Sequence, residues 1–178
     1  MSDIKIIDNY LSENDHQKIL KFVGGTEMVW YYGNVLPEVY KSECDSYTLS
    51  KENASKYNYQ NYHVIFEKVF VSKFYNETVA DVLVKLNPDA LVRVKLNMTH
   101  CSEKIIEHGF HCDNDFKNCK TAIYYLNSND GYTIFENGEK VNSIANRMVM
   151  FPSHMKHSGT TCTNTNCRLV LNINYFKD

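Results

Sequence analysis

Three residues in the second half of the chain have side chains that suit a single divalent metal ion: His111, Asp113 and His157. His111 and Asp113 are two residues apart, so both side chains leave the same face if this segment is extended. His157 follows Asp113 by 44 residues, so only a fold that joins two distant strands brings it to the same place. Two imidazoles and one carboxylate on one side of a metal leave the opposite positions open, which is the ligand set of non-haem Fe(II) oxygenases.

A fourth distinctive residue, Arg168, lies eleven residues after His157 at the start of a strand-like run. Alternation along this run places Arg168, Val170, Asn172 and Asn174 on one face and Leu169, Leu171, Ile173 and Tyr175 on the other. A buried arginine is costly unless it is paired, and no acidic residue lies close to Arg168 in the sequence. A bound dicarboxylate would provide the partner, because guanidinium holds a carboxylate in a two-pronged geometry.

Other residues of the same types compete for the metal. His154 precedes His157 by three residues and would face the opposite side of a strand, and its position beside a proline turn favours His157 as the ligand. We expect His108 to face solvent, with a role beside the metal as the alternative. Asp115 would need a bend to share a face with His111, so we expect it to lie in a loop.

Three asparagines on the strand-like runs are further candidates: Asn97, Asn172 and Asn174. Each side chain either hydrogen-bonds a bound ligand or satisfies polar groups inside the fold. We favour Asn172 as the ligand-binding member of the three.

The bulk properties of the chain limit the function classes. Its 178 residues predict a single domain, 1–178, and a net charge of −2 without a run of Lys or Arg does not indicate nucleic-acid binding. The polar N-terminal sequence and the lack of an apolar run of about 20 residues predict a cytoplasmic protein without a membrane segment. The six cysteines lack paired CxxC spacing, which favours reduced thiols; a zinc site formed by Cys112, Cys119, Cys162 and Cys167 is the alternative.

The first half of the chain, residues 1–88, is expected to supply helical support and substrate loops. A short N-terminal strand precedes a helix that Ser12 caps and that Gly24 ends. The aromatic segment 26–58 is expected to form loops near the substrate. Helical spacing of apolar residues between 62 and 86 predicts two helices that brace a sheet.

After Pro88 the apolar period changes from 3.6 to 2, which is typical of strands. An alternating strand near 91–98 is followed by seven short strands separated by turn signals, at about 106–112, 120–127, 132–136, 139–144, 147–151, 155–161 and 167–176. Eight strands at this spacing predict a mainly β fold: a double-stranded β-helix, or jelly roll, in residues 89–176 with N-terminal bracing helices.

These motifs together resemble the Fe(II)- and 2-oxoglutarate-dependent dioxygenase superfamily, in its prolyl-hydroxylase-like branch. The resemblance covers about half of the chain and rests on His-Cys-Asp at 111–113, IYYLN at 123–127, DGYTIFENG at 130–138, NRMVMFPSHMKH at 146–157, and Arg168. The chain departs from the family pattern at Asp130-Gly131, where the family usually has two glycines, and in a longer loop at 99–109.

The resemblance implies roles for five residues: iron ligation and catalysis by His111, Asp113 and His157, and binding of 2-oxoglutarate by Arg168 and Tyr125. Asn172, favoured above from its place on the strand, is expected to bind the co-substrate with them. It implies Fe(II), 2-oxoglutarate as co-substrate, O2, and ascorbate as a candidate reductant. The implied reaction couples oxidative decarboxylation of 2-oxoglutarate to hydroxylation of a substrate C–H. Peptidyl proline is the nearest analogy, and a protein or peptide side chain is the favoured substrate.

Two other function classes remain open from the sequence. One is a cupin-like metal-binding jelly roll with a different reaction, although cupins offer more histidine ligands and use an HxH element that this chain lacks. The other is a binding module that has kept the fold without catalysis.

Overall fold

A computed structural model of the chain describes residues 3–36 and 58–178. The rest of the aromatic segment, including Tyr40 and Cys44, lies outside the described residues. The strands are β1 (Lys5–Ile7), β2 (Tyr31–Gly33), β3 (Gln60–Glu67), β4 (Phe70–Val71), β5 (Ala90–His100), β6 (Lys120–Tyr125), β7 (Tyr132–Phe135), β8 (Lys140–Asn142), β9 (Arg147–Pro152), β10 (His157–Gly159) and β11 (Cys167–Phe176). The helices are α1 (Glu13–Val23), α2 (Tyr75–Thr78) and α3 (Ala80–Leu86).

The strands form two antiparallel sheets. The large sheet has the order β1-β9-β6-β11-β5-β3-β2, with β4 paired to β3, and the small sheet has the order β10-β7-β8. Neighbours in the large sheet are far apart in sequence, since β11 lies between β6 and β5. The prediction of a mainly β jelly-roll fold is confirmed.

Helix α1 forms where its capping residues predict it. The side chain of Ser12 accepts a hydrogen bond from the backbone N–H of Asp15 at 3.2 Å, and Gly24 closes the last turn on the carbonyl of Leu20 at 2.9 Å. Ile19 and Val23 are buried and pack with α3 against the outer face of the large sheet. The predicted N-terminal strand is also present as β1, which pairs with β9 at the edge of the large sheet.

The prediction of helices throughout 62–86 is wrong in its first part. Residues 60–67 form β3, and only the segment from Tyr75 to Leu86 is helical. In β3 the buried Ile65 faces the helices, whereas Tyr62 and Val64 lie on the opposite face. A short apolar run fits either period, and its β-branched and aromatic residues, with two neighbouring strands to pair with, favour the strand.

The predicted strand at 106–112 does not form as a continuous strand. Isolated bridges connect Glu107 to Thr160 and His111 to His157 instead. Two other predicted strands are shorter than expected: β8 spans Lys140–Asn142 and β10 spans His157–Gly159. The small sheet is therefore narrow, and His111 lies on backbone outside the regular strands.

The alternation predicted for β11 is confirmed. Leu169, Leu171, Ile173 and Tyr175 belong to the apolar cluster shared with the helices. Val170 belongs to a second cluster with Ile123, Tyr125 and Phe135, on the side of the small sheet. The face of the large sheet that bears Arg168 and Asn172 is therefore the interior of the jelly roll.

Of the described cysteines, Cys101, Cys119, Cys162 and Cys167 are free thiols, and the thiol of Cys112 donates to the carbonyl of His154 at 3.1 Å. Within residues 3–36 and 58–178 they form no cluster with metal-binding geometry, so the alternative zinc site is not assembled there. No helix in this part of the chain is long and apolar enough to cross a membrane.

Asn146 joins the N-terminal segment to the large sheet. Its Oδ1 accepts hydrogen bonds from the backbone N–H of Leu11 at 2.8 Å and from the hydroxyl of Tyr124 at 2.9 Å, and its Nδ2 donates to the carbonyl of Leu11 at 3.0 Å. The residue is buried and has a φ of 62°, a left-handed conformation that asparagine tolerates better than most residues.

We expect Asn146→Ala to lower the free energy of unfolding by about 2–4 kcal/mol, because it leaves the buried N–H and C=O of Leu11 unpaired and places an alanine at positive φ. Urea unfolding followed by circular dichroism measures the change. Asn14→Ala, at an exposed position of α1, is the control and should change stability by less than about 0.5 kcal/mol. Equal effects of the two substitutions would contradict this role.

Candidate metal centre

The backbone joins His111 to His157 directly. The N–H of His111 donates to the carbonyl of His157 at 2.9 Å, and the N–H of His157 donates to the carbonyl of His111 at 3.0 Å. This reciprocal pair places the two imidazole rings 4.7 Å apart, centroid to centroid. The fold therefore brings together two histidines that are 46 residues apart in sequence.

Each of these histidines has its Nδ1 engaged by a backbone carbonyl. Nδ1 of His111 lies 3.3 Å from the carbonyl oxygen of Gly109, and Nδ1 of His157 lies 3.0 Å from that of Met155. A carbonyl only accepts, so Nδ1 carries the proton in both rings. The lone pair is then on Nε2, the tautomer in which a histidine binds a metal through that atom.

Asp113 completes the group and is held by side chains of the large sheet. Its Oδ2 accepts hydrogen bonds from Thr121 at 2.9 Å, Asn172 at 3.1 Å and Asn174 at 2.9 Å. Its Oδ1 has a looser ion pair with Arg93, at 3.7 Å. Oδ2 also lies 3.9 Å from Nε2 of His157, so the carboxylate is oriented by its donors and faces the imidazoles.

One potential ligand atom from each of His111, Asp113 and His157 lies within 4.8 Å of the others. Burial opposes ionisation of Asp113, but His157, His111, Arg93 and the donor Asn174 outweigh burial and hold the pKa of Asp113 below its usual range. Burial also lowers the pKa of His111 to about 4. An ionised carboxylate beside a neutral imidazole is the protonation state that metal binding requires.

These three residues line a cavity of about 240 Å³ between the two sheets. Arg168 also lines the cavity and is 4% exposed. Its Nε donates to the hydroxyl of Ser143 at 2.8 Å and its Nη2 donates to that of Thr133 at 3.0 Å. Within the described residues Arg168 has no carboxylate partner, so its charge lacks the compensation that a buried guanidinium requires.

Gly131 makes room for Arg168. A Cβ at this position would lie 2.9 Å from Cδ of Arg168 and 2.7 Å from the carbonyl oxygen of Thr161. Both distances are shorter than a real Cβ contact, so no other residue fits without a shift of the backbone or of Arg168. The glycine that remains of the expected Gly-Gly pair is therefore the one that Arg168 requires.

The structure places Tyr125 beside Arg168 and off the cavity wall. Its ring centroid is 5.4 Å from the guanidinium carbon, and its hydroxyl donates to Thr133 at 2.8 Å. Thr133 Oγ1 therefore accepts from Tyr125 and Arg168 together, and its own proton is free to donate into the cavity that it lines. Sequence analysis missed Thr133, although alternation on β7 places it on the same side as the buried Phe135.

His108 is buried, contrary to the expectation that it faces solvent. The residue is 1% exposed and lines the cavity, and neither ring nitrogen has a hydrogen-bond partner among the described residues. Burial, followed by the charges of Arg168 and His111, lowers the pKa of His108 to about 4. A neutral imidazole with two unused polar atoms therefore faces the same space as Arg168.

The rival residues lie away from the metal centre. His154 and Asp115 are exposed, as the sequence predicts. Asn97 and Asn172 line the cavity, whereas Asn174 lies behind Asp113 and also donates to Thr121 at 3.0 Å. Thr121 was not anticipated, because a threonine inside an apolar strand gives no sequence signal until its partner is known.

The described architecture is similar to that of solved prolyl hydroxylases and of an alpha-ketoglutarate-dependent epimerase. No protein-family model and no curated protein sequence matches the chain, so the likeness is one of fold.

Among solved structures, a prolyl hydroxylase from Trichoplax adhaerens, in complex with an oxygen degradation domain peptide fragment of hypoxia inducible factor, matches 99% of this chain and 84% of its own at 16% identity and a TM-score of 0.64. The non-heme alpha-ketoglutarate-dependent epimerase of nogalamycin biosynthesis matches 98% of this chain and 76% of its own at 12% identity and a TM-score of 0.65. A Pseudomonas putida prolyl-4-hydroxylase matches 99% and 94% at 9% identity and a TM-score of 0.53.

The unpaired His108 makes the stability of the metal-free protein depend on pH. Its pKa is lowered from 6.5 to about 4, so the unfolded chain takes up the proton first. The stability contributed by the neutral ring is present above pH 6.5 and is lost as the pH falls toward 4.

We expect His108→Phe to remove part of this loss. Between pH 7.5 and pH 4.5 its free energy of unfolding should fall by about 1–3 kcal/mol less than that of the wild type. Chemical unfolding in EDTA at both pH values measures the difference. His154→Gln, which changes an exposed histidine, should keep the wild-type dependence. Identical pH profiles for wild type and His108→Phe would show that His108 is protonated normally in the folded chain.

Proposed function

We propose that this protein is a non-haem Fe(II)- and 2-oxoglutarate-dependent dioxygenase that hydroxylates a substrate C–H. The observation that carries the proposal is the convergence of His111, Asp113 and His157 beside an uncompensated, buried Arg168 in one cavity. The jelly-roll fold shared with oxygenases supports it. The overall reaction converts 2-oxoglutarate, O2 and a C–H group into succinate, CO2 and a C–OH group.

The donor set fits an iron ion. Nε2 of His111, Nε2 of His157 and the carboxylate of Asp113 would hold it, because Nδ1 of each histidine is already hydrogen-bonded and one ligand atom of each residue lies within 4.8 Å of the others. Thr121 and Asn174 orient the carboxylate, as hydrogen-bonded neighbours commonly do for metal ligands. Two histidines and one carboxylate leave positions for co-substrate and O2.

The part of the cavity beside Arg168 would bind the distal carboxylate of 2-oxoglutarate. Arg168 would provide charge and the hydroxyl of Thr133 a further donor, while Tyr125 would hold both in place. His108 would donate from a neutral ring to the same carboxylate. Asn172, proposed from sequence as a co-substrate residue, has its Nδ2 committed to Asp113, so only its Oδ1 is available to a ligand.

Iron with 2-oxoglutarate and O2, when bound, supplies the oxidative decarboxylation and the C–H oxidation. The chain supplies position and a dry environment: Ile123 and Val170 cover part of the cavity wall with apolar surface. Within such a cavity Arg168 binds its carboxylate more strongly than it would in water. The identity of the oxidised group is a finer proposal, for which a peptide side chain such as proline is the first candidate, since two of the similar structures are prolyl hydroxylases.

We expect Asp113→Asn to weaken binding of Mn(II), an inert substitute for Fe(II), by more than about 100-fold, because the site loses its only anionic ligand. Isothermal titration calorimetry on the purified protein measures this, and succinate release with Fe(II) should be lost in parallel. Asp115→Asn makes the same chemical change at an exposed carboxylate two residues away and should leave both unchanged. Metal binding that survives Asp113→Asn would contradict the proposed ligand set.

We expect Arg168→Gln to raise the dissociation constant for 2-oxoglutarate by about 10- to 100-fold, the cost of a charge-assisted hydrogen bond. Mn(II) affinity should stay within about threefold of wild type, because Arg168 is not a ligand. Calorimetry of 2-oxoglutarate against the Mn(II)-loaded protein separates the two effects. Unchanged 2-oxoglutarate affinity would instead favour a cupin-like site with another reaction.

A further inference from the structure

A second cationic group lies on the interior face of β5. Lys95 pairs in register with Asn172 of β11, and Arg93 pairs with Asn174. Both basic side chains therefore project from the same face as the asparagines that hold Asp113, and both line the cavity. They are separate from Arg168, which pairs in register with Thr99, farther along the same two strands.

Within the described residues Lys95 has no ion pair and Arg93 has only a loose one. The ammonium of Lys95 lies 4.6 Å from the centroid of the Tyr62 ring and has no hydrogen bond or ion pair there. Arg93 has the 3.7 Å contact with Asp113, and its buried Nε has no acceptor. A cation over an aromatic ring is stabilised less than one paired with an anion in a partly buried site.

The charge of the cavity is unbalanced even with its proposed contents. Among described residues it is lined by three cationic side chains, Arg93, Lys95 and Arg168, and by one carboxylate, Asp113. A divalent metal and the dianion 2-oxoglutarate cancel each other, so two positive charges remain. An anion beside Lys95 would reduce this excess.

Two acceptor atoms that face the same region have no hydrogen-bond partner among the described residues. Oδ1 of Asn172 is unpaired, and its orientation is fixed because Nδ2 donates to Asp113 at 3.1 Å. The residue is 9% exposed, so water outside the cavity does not satisfy it. Oδ1 of Asn97, which is also unpaired, lies on the same face of β5. Each of these two oxygens can accept a hydrogen bond from an N–H or O–H group of a bound ligand.

We propose that the substrate that is oxidised carries a carboxylate bound by Lys95, next to an N–H or O–H group accepted by Asn172 and Asn97. This inference rests on the proposed function. Because Asn172 also donates to Asp113, the anion binds close to the metal residues. The carboxylate and the C–H that is oxidised therefore belong to the same small molecule or the same amino-acid residue. That unit is a free carboxylic acid such as an amino acid, or an acidic side chain of a peptide.

The test compares acids with their uncharged amides on wild-type protein loaded with Zn(II) and 2-oxoglutarate. Ligand-observed NMR would be run on the free L-amino acids against the matching L-amino acid amides. A second arm would use capped tripeptides with central Asp or Glu against Asn or Gln. We expect at least one acid to bind about tenfold more tightly than its amide, as one charge-assisted hydrogen bond provides; the arm in which it occurs identifies the source of the carboxylate.

Variants assign that preference to Lys95. Lys95→Met should abolish the difference between acid and amide, Lys95→Arg should keep it, and Lys104→Met, at an exposed lysine, should leave it unchanged. The wild-type comparison and Lys95→Arg decide the matter if Lys95→Met does not fold. Acids that bind no better than amides in both arms would overturn the proposal, and so would a preference that survives Lys95→Met.

Calorimetry with 2-oxoglutarate separates this proposal from the proposed function. If Lys95→Met weakens 2-oxoglutarate binding tenfold or more, the ammonium serves the co-substrate and the inference is wrong, while the dioxygenase assignment stands. If Zn(II)-loaded wild type does not bind 2-oxoglutarate, the dioxygenase assignment fails. In that case the binding of acids and amides to wild type and to Lys95→Met is compared again without 2-oxoglutarate. This comparison still confirms or overturns the anion site.

Discussion

The site depends on two backbone hydrogen bonds between His111 and His157. They connect a segment without regular secondary structure to the short strand β10, and so hold two imidazoles in a fixed relation that no side-chain contact would secure. Because the carbonyls of Gly109 and Met155 also set the tautomer of both rings, the backbone decides position and protonation together. Side chains of the large sheet orient the third residue, Asp113, by hydrogen bonds to its carboxylate.

The two faces of the large sheet have different roles: one packs against the helices and the other lines the cavity. The outer face packs aliphatic and aromatic side chains against α1 and α3, whereas the inner face carries polar groups that would be costly in a closed core. Among the described residues, His108 and Asn172 have buried polar atoms without a partner, Arg168 has no carboxylate partner, and all three line the cavity. Such a concentration of unmet polar groups is better explained by a bound ligand than by packing, because a core formed without ligands pairs its buried donors and acceptors.

Strict alternation made β6 and β11 predictable from sequence, since a period of two assigns every side chain to a face. His111, Asp113, His157 and Arg168 could be named as candidates from the sequence because their residue types and spacing suit a metal ion and a carboxylate. The strand β3 was misjudged because a run such as VIF fits two periods, and only its pairing with β5 selects one. The burial of His108 and the roles of Thr121 and Thr133 depend on contacts across the sheets, which no local pattern encodes.

The position of β11 has a consequence for how the chain folds. This strand follows all the others in sequence, yet it lies in the middle of the large sheet, between β6 and β5. During synthesis the facing edges of β5 and β6 therefore stay unpaired until β11 emerges, and exposed edges of this kind are prone to aggregation. High contact order of this type also slows folding, so the large sheet becomes continuous only when its C-terminal strand is added between β5 and β6.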